Sequence, residues 1–207
     1  MSRYIGPLWR KSRALGISLL ENKKEFSRGK KRTTIPGQHG NNIRKRRRSS
    51  SYALQLKEVQ KLRFLYGLTA TQLRSLFIKL KNKKGELSYN LLSNLESRLD
   101  NIIFRSGIGT RRFARQLVNH KHFSVNGQKV NIPSYRVKVG DIIEISEKII
   151  DNEKIKFFTS EKKEVPAYIN FEEKKIKISL NRTPSMDEIK NPDISIPLVI
   201  EWFNKKI

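Results

Sequence analysis

Between Arg98 and Ile145 the sequence packs an arginine-studded helix, an Asn-Gly hairpin and a short strand pair into one small stretch, which says more about the chain than the rest of it. Thr110 is a helix-start residue. Arg111, Arg112 and Arg115 follow it in the first turns, where free backbone N–H groups already favour phosphate. Ala114, Leu117 and Val118 share the inward side of that helix. Phe123-Ser124-Val125, Asn126-Gly127 and Gln128-Lys129-Val130 then spell a two-residue hairpin, because both turn residues must accept positive φ. Pro133 closes it, and Tyr135–Val139, Gly140-Asp141 and Ile142–Ile145 predict a second strand–turn–strand. These side chains suit RNA and offer an enzyme little.

The bulk charge points the same way. The 207 residues carry 44 Lys+Arg against 19 Asp+Glu, a formal charge of +25 and a pI near 10.4. A chain with that balance repels itself unless a polyanion neutralises it. Nucleic acid is the expected partner, with an anionic membrane surface as the rival. No apolar run approaches the ~18 residues of a membrane span and no signal-peptide pattern opens the sequence, so a soluble, intracellular protein without membrane contact is expected. Cysteine is absent, which excludes disulfides, thiolate zinc sites and thiol catalysis. His39, His120 and His122 are too scattered for a metal site, and no cofactor is expected. The abundance of Lys, Asn and Ile suits an AT-rich genome.

The excess charge is uneven. Residues 1–48 hold +13 of it, with Glu21 and Glu25 their only acids; 49–97 add +5, 98–145 add +6 and 146–207 add +1. The first segment has few periodic apolar positions. It carries Gly6-Pro7, Gly16, Gly29, the loop Pro36-Gly37-Gln38-His39-Gly40 and the run Arg44–Arg48. It is expected to bury little apolar surface and to form an extended basic arm with short helical turns, ordered against its partner, with Tyr4, Trp9 and Phe26 as anchors.

From Ser51 the pattern turns helical. Leu54, Leu56, Val59, Leu62 and Leu65 recur near helical spacing up to Gly67. Thr69-Ala70-Thr71-Gln72 reads as a capping box that starts a second helix with Leu73, Leu76, Phe77 and Leu80 on one face. A third is predicted from Ser88 to near Gly107. Beyond Ile145, residues 147–162 suggest one charged helix, Ala167–Phe171 and Lys175–Leu180 suggest strands, and Leu198–Phe203 forms an apolar end-piece expected to dock on a core.

Seven motifs in order carry a resemblance over nearly the whole chain: Arg3-Tyr4-Ile5-Gly6-Pro7, Pro36–Gly40, Tyr52–Leu56 with Lys61–Gly67, Leu95–Asn101, Ala114–His120, Val125–Gly127 and Ile200–Trp202. The sequence resembles the bacterial-type small-subunit ribosomal protein number four family. The resemblance implies an α+β fold: a mostly helical domain with an inserted α/β RNA-binding module (an Arg-rich helix plus a small antiparallel sheet) and an extended basic N-terminal arm. Expected boundaries are 1–48 for the arm, 49–97 for the helical domain completed by 180–207, and 98–165 for the module. Residues 166–207 would hold strands and a C-terminal segment that packs back on the helical domain. Many relatives carry four arm cysteines that bind zinc or an iron–sulfur cluster. Here the first two matching positions are Trp9 and Ser12, so no metal is expected. The family's C-terminal Arg-Pro-x-Arg-like stretch reads Arg182-Thr183-Pro184-Ser185-Met186 and lacks its second Arg.

The resemblance further implies direct binding to the multi-helix junction in the 5′ domain of small-subunit rRNA, early in assembly. Ribosomal protein number five is the implied protein neighbour, with effects on translational accuracy and contact with mRNA at the entry channel. The implied location is the cytoplasmic ribosome, with an organellar ribosome as second choice. Recognition should be of shape and phosphate, since A-form RNA hides its major groove. Expected contacts are Arg3, Arg10, Lys11, Arg13, Lys30, Lys31 and Arg32 in the arm, Gln38 and His39 in the Gly-bracketed loop, and Arg44, Lys45, Arg46, Arg47 and Arg48. Tyr52, Lys57, Lys61 and Arg63 follow on the first long helix, although a solvated face is the ordinary reading of such lysines. In the module the expected contacts are Arg111, Arg112, Arg115, Gln116, Asn119, His120, Lys121, Asn126 and Lys129. His39 has no acid or nucleophile beside it, so no residue is expected to be catalytic. A DNA-compacting protein would lack the Pro36–Gly40 element, and an RNA-modifying enzyme would need a nucleophile or cofactor loop. A stress-response RNA-binding protein with the same module is the second reading.

Overall fold

The computed structural model describes residues 4–20, 26, 34–38, 50–150, 152–160, 165–172, 176–189 and 193–207. The fold is α+β, and the chain divides into two units, Met1–Ser88 with Asn191–Ile207, and Tyr89–Lys190. In the first, helix α1 (Leu8–Leu15) ends at Gly16, whose φ of 75° lets its N–H close on the Ser12 carbonyl. Residues 4–20 bury more than their composition suggests: Leu15, Ile17 and Leu19 are all inside, and Ser12 Oγ accepts the Leu19 N–H at 3.3 Å. Tyr4 meets Phe64 edge-on, with ring centroids 5.1 Å apart.

Helix α2 (Ser51–Leu65) is capped by Ser50 Oγ, which accepts the Ala53 N–H. Helix α3 (Ala70–Lys81) has the expected capping box: Thr69 Oγ1 accepts the Gln72 N–H at 3.2 Å, and Gln72 Oε1 accepts the Thr69 N–H at 3.0 Å. Leu73, Phe77 and Leu80 form its buried stripe.

The single third helix predicted from Ser88 is two: α4 (Leu87–Glu96) and α5 (Leu99–Arg105). Arg98 is extended at ψ 139°, and tertiary hydrogen bonds take the place of helical ones. Leu99 and Asp100 donate their N–H groups to the carbonyls of Tyr135 and Pro133, and Val137 donates to Ser97. The same bonds explain why Tyr135–Val139 is not the predicted strand. Its backbone serves this junction, through an isolated pairing of Arg136 with Arg98.

Helix α6 (Arg111–Asn119) leads into β1 (Phe123–Val125), β2 (Gln128–Val130) and β3 (Ile142–Ile145). The predicted hairpin is present, with Asn126 at φ 49° and Gly127 at φ 79°. The charged helix predicted for 147–162 is interrupted, giving α7 (Glu147–Ile150) and α8 (Glu153–Ser160). The Asn152 carbonyl accepts the N–H groups of Ile155 and Lys156 at the start of α8. Strands β4 (Ile169–Glu172) and β5 (Lys177–Leu180) follow, then α9 (Met186–Ile189) and α10 (Ile196–Lys206).

Among the described residues the five strands form one antiparallel sheet in the order β2-β1-β3-β5-β4. The sheet therefore runs through Leu180, past residue 165 where the module was expected to close. Ile169, Ile178 and Leu180 are needed to complete its apolar side. They join Phe123, Val125, Ile143 and Ile145 in one core with Leu99, Ile102, Ile103, Ala114, Leu117 and Val118 of α5 and α6. In the first unit α10 packs on α2. Phe203 stacks on Phe77 at 4.7 Å, and the Ser195 N–H donates to Glu58 Oε2 at 2.9 Å. Among the described residues no helix is long and apolar enough to cross a membrane.

Candidate nucleic-acid interface

Helical spacing decides which side of α6 faces water. Thr110 Oγ1 accepts the Phe113 N–H and fixes the first turn. Ala114, Leu117 and Val118 go into the core, so Arg112, Gln116 and Asn119 stand outward, followed by exposed His120 and Lys121. Lys121 sits at φ 62°, which turns the chain toward β1. Arg111 and Arg115, one turn apart, point sideways onto α5. Arg115 Nε and Nη2 donate to Asp100 Oδ2 at 2.9 and 2.7 Å. The Arg111 guanidinium donates to Asn101 Oδ1 and lies over the Phe104 ring, 4.3 Å from its centroid. Of the three arginines expected to clamp phosphate, Arg112 is the one turned to solvent.

Two buried carboxylates explain this. Asp100, 4% exposed, also takes Arg98 Nε and Nη2 at 3.0 and 2.8 Å. Glu96, 1% exposed, accepts from Arg105 Nε and Nη2 at 3.1 and 3.0 Å, Asn101 Nδ2 at 2.5 Å and the Tyr168 hydroxyl at 3.3 Å. A carboxylate at that depth is tolerable only when paired and hydrogen-bonded. Burial, and next the Glu96 charge, hold the Tyr168 phenol well above its ordinary value. Arg98, Arg105 and Arg115 thus neutralise the interior, and among the described residues Arg112, Lys121, Lys129, Arg136, Lys138, Lys156 and Arg182 are the exposed cations of this unit.

The neighbouring hairpin separates fold-holding from solvent-facing groups. Asn126 Nδ2 donates to Asp141 Oδ1 and its Oδ1 accepts the Ile142 N–H, both at 2.9 Å, so this expected contact residue holds the turn itself. Lys129 is exposed on β2. His120 and His122 have ring centroids 5.9 Å apart; burial, then the His120 charge, lowers the His122 pKa. The open face of the sheet is a weak rival. Cross-strand register aligns Lys129, Ser124, Glu144, Lys177 and Glu172, and Lys177 bonds Glu144 at 2.6 Å. That row alternates in charge and has no ring on which a base could stack.

In the helical unit Arg10, Gln38, Tyr52 and Lys57 are exposed. Lys11 places its ammonium 5.8 Å over Tyr4 and 5.4 Å over Phe64, Arg63 lies 4.5 Å over Phe64, and Arg13 Nη1 donates to the Thr34 carbonyl at 3.1 Å. Lys61 is turned inward, bonding Glu58 at 2.7 Å and the Asp193 carbonyl at 2.8 Å. Tyr66 is buried. Arg3, Lys30, Lys31, Arg32, His39, Arg44, Lys45, Arg46, Arg47 and Arg48 lie outside the described residues. Sequence reasoning passed over exposed Arg74, Lys79, Lys81, Lys83 and Lys84, although no acid interrupts them between Ala70 and Gly85. It also passed over Arg136 and Lys138.

Trp9 and Ser12, the first two arm positions where the resemblance implies metal-binding cysteines in other members, do not fit a metal. Ser12 is buried with its hydroxyl accepting the Leu19 N–H, and Trp9 presents an indole. Among the described residues no group of three or more His, Asp or Glu could hold an ion.

A strongly cationic α+β chain, with a helix-and-hairpin module interrupting a helical unit, belongs to the class of proteins built on an S4-type RNA-binding domain. Residues 97–143 match the family model described as S4 domain, and residues 3–96 match the one described as ribosomal protein S4/S9 N-terminal domain. The chain is 48% identical over 209 aligned residues to the small ribosomal subunit protein uS4 of Streptococcus mutans, with 100% of each chain covered. It is 46% identical over 208 residues to that of Mycoplasma capricolum, covering 100% of this chain and 99% of the relative. The match to that of Mesoplasma florum is 46% over 209 residues, again with 100% of each covered. The chain belongs to the ribosomal protein S4 family.

Proposed function

We propose that this protein is a structural constituent of the small ribosomal subunit that binds rRNA directly, at the multi-helix junction of the 5′ domain. Its role there is non-catalytic: it fixes the angles between RNA helices early in assembly. The observation that carries the reading is the outward row of Arg112, Gln116, Asn119, His120 and Lys121 on and after α6, with Lys129 on the adjoining hairpin, in a chain of charge +25. Cations beside amide and imidazole donors suit phosphates and 2′-hydroxyls on a folded RNA surface. The basic segment before residue 50 supplies the larger share of the charge and a second grip. Relatives named small ribosomal subunit protein uS4 that match along the full length support the assignment to that subunit. Contact with ribosomal protein number five, an influence on decoding accuracy and contact with entering mRNA complete the reading.

Binding of the 5′-domain transcript to the purified chain is the test. Arg112→Glu should weaken it, and affinity should fall steeply with salt as phosphates release counterions. Arg111→Glu is the control, since it should act first on folding, through the loss of its contacts to Asn101 and Phe104. Unchanged affinity in the Arg112 variant at physiological salt would reject α6 as a binding face. Absence of the chain from small subunits in a sedimentation gradient would reject the assignment itself.

A further inference from the structure

We propose that Phe157 is a base-stacking platform, on which an unpaired nucleobase of the RNA held by α6 seats its face. The inference rests on the RNA-binding reading of α6. Helix α8 sends Ile155 into the core with no exposed surface. Three residues on, half-buried Phe158 lies against Phe113 of α6 with ring centroids 5.8 Å apart. Phe157 falls off that inward stripe and stays 60% exposed, even though its ring meets Phe158 at 5.7 Å. The core therefore does not account for an aromatic at this position. Three rings, Phe113, Phe158 and Phe157, run from the first turn of α6 out to solvent. Gly109 allows the close approach beneath them: a Cβ there would stand 2.6 Å from Phe113 Cδ1 and 3.4 Å from Phe158 Cδ2.

Charge selects the occupant. Arg112 precedes Phe113 and Lys156 precedes Phe157, and both cations are exposed. Glu153 lies one turn back on the Phe157 side of α8, so a phosphate backbone passes on the Lys156 side. A protein partner would need a wider apolar face than one ring, whereas a base needs only a ring with a cation beside it.

The test is equilibrium binding of the full chain to the 5′-domain transcript, read as affinity and as its salt slope. Phe157→Ala should bind roughly tenfold more weakly with an unchanged slope, since stacking is lost and no phosphate contact is removed. Phe157→Tyr should keep wild-type affinity, and Arg112→Glu should lower both affinity and slope. Wild-type binding by Phe157→Ala, with Arg112→Glu impaired, overturns the platform and leaves the α6 interface standing. Equal loss in the Ala and Tyr variants with a lowered melting temperature marks a packing role and overturns it as well. So does wild-type RNA affinity combined with loss of a neighbouring protein from reconstituted subunits. If Arg112→Glu is also silent, the α6 reading falls and the platform falls with it.

Discussion

The helical unit and the α/β module anchor part of their positive charge differently. The module directs Arg98, Arg105 and Arg115 onto two carboxylates that water scarcely reaches, Glu96 and Asp100. The helical unit lays Lys11 and Arg63 over aromatic rings, bonds Lys61 to a carboxylate nearer the surface, and leaves the cations of α3 in solvent. Guanidinium groups suit the first arrangement because their planar fork meets a carboxylate with two parallel bonds at modest entropic cost. Lysine suits the second, with a long stem that packs while its head reaches water. A count of basic residues along the chain therefore overstates what the module presents to RNA.

The sharpest way to break the comparison is to remove the acids. Glu96→Ala leaves Arg105, Asn101 and the Tyr168 hydroxyl without their common acceptor, and should destabilise the protein by ~3–5 kcal/mol in urea unfolding. Asp100→Ala should cost a similar amount, because it removes the acceptor that Arg98 and Arg115 share. Glu58→Ala in the helical unit removes the acceptor of the Ser195 N–H and the partner of Lys61, and should cost about 1–3 kcal/mol. Equal losses at Glu96 and Glu58 would erase the distinction between the two units.

These networks were only partly legible in the sequence. Glu96, Arg98, Asp100 and Asn101 stood together in the Leu95–Asn101 motif, yet nothing local said that the acids would be buried or that Arg111 and Arg115 would turn to meet α5. That depends on the phase between two helices, which the break at Ser97-Arg98 sets, and the break is made by carbonyls far downstream, at Pro133 and Tyr135. The Thr69–Gln72 box, the Thr110 cap and the Asn126-Gly127 turn were legible because their determinants lie within four residues. The inward trio Ala114, Leu117 and Val118 was legible too, whereas Arg111 and Arg115 were expected at phosphate together with Arg112. The extra strand pair of the sheet was seen as strands but not as part of the module, since cross-strand register is not a local property.

The two helix caps refine the comparison at lower energy. Thr69 belongs to a reciprocal box in which Gln72 returns a bond to the Thr69 N–H, whereas Thr110 accepts one bond, from Phe113. Thr69→Ala should cost ~1 kcal/mol of stability, and Thr110→Ala the same or less. The Thr110 change carries the more informative readout. It loosens the turn bearing Arg112, so RNA affinity should fall with little change in melting temperature. A fall in stability without a fall in affinity would separate α6 from the interface.

The smallest expected effect lies at the exposed end of the same unit. Arg182 meets Glu188 through two nitrogens at 2.8 and 2.5 Å, and the Ser185 N–H donates to the same carboxylate at 2.8 Å. These bonds, with the Arg182 contact largest, lower the Glu188 pKa from 4.5 to about 2. The folded state then binds fewer protons than the unfolded one at this position. The contact's contribution is present above pH 4.5 and is lost as pH falls through about 2. Solvent screens an exposed pair, so the contribution should be far below that of Glu96. The melting-temperature gap between the native chain and Glu188→Gln should be small at neutral pH and should close on acidification across that window. A gap that ignores pH would mean that this ion pair, unlike the buried ones, adds nothing to the fold through its charge.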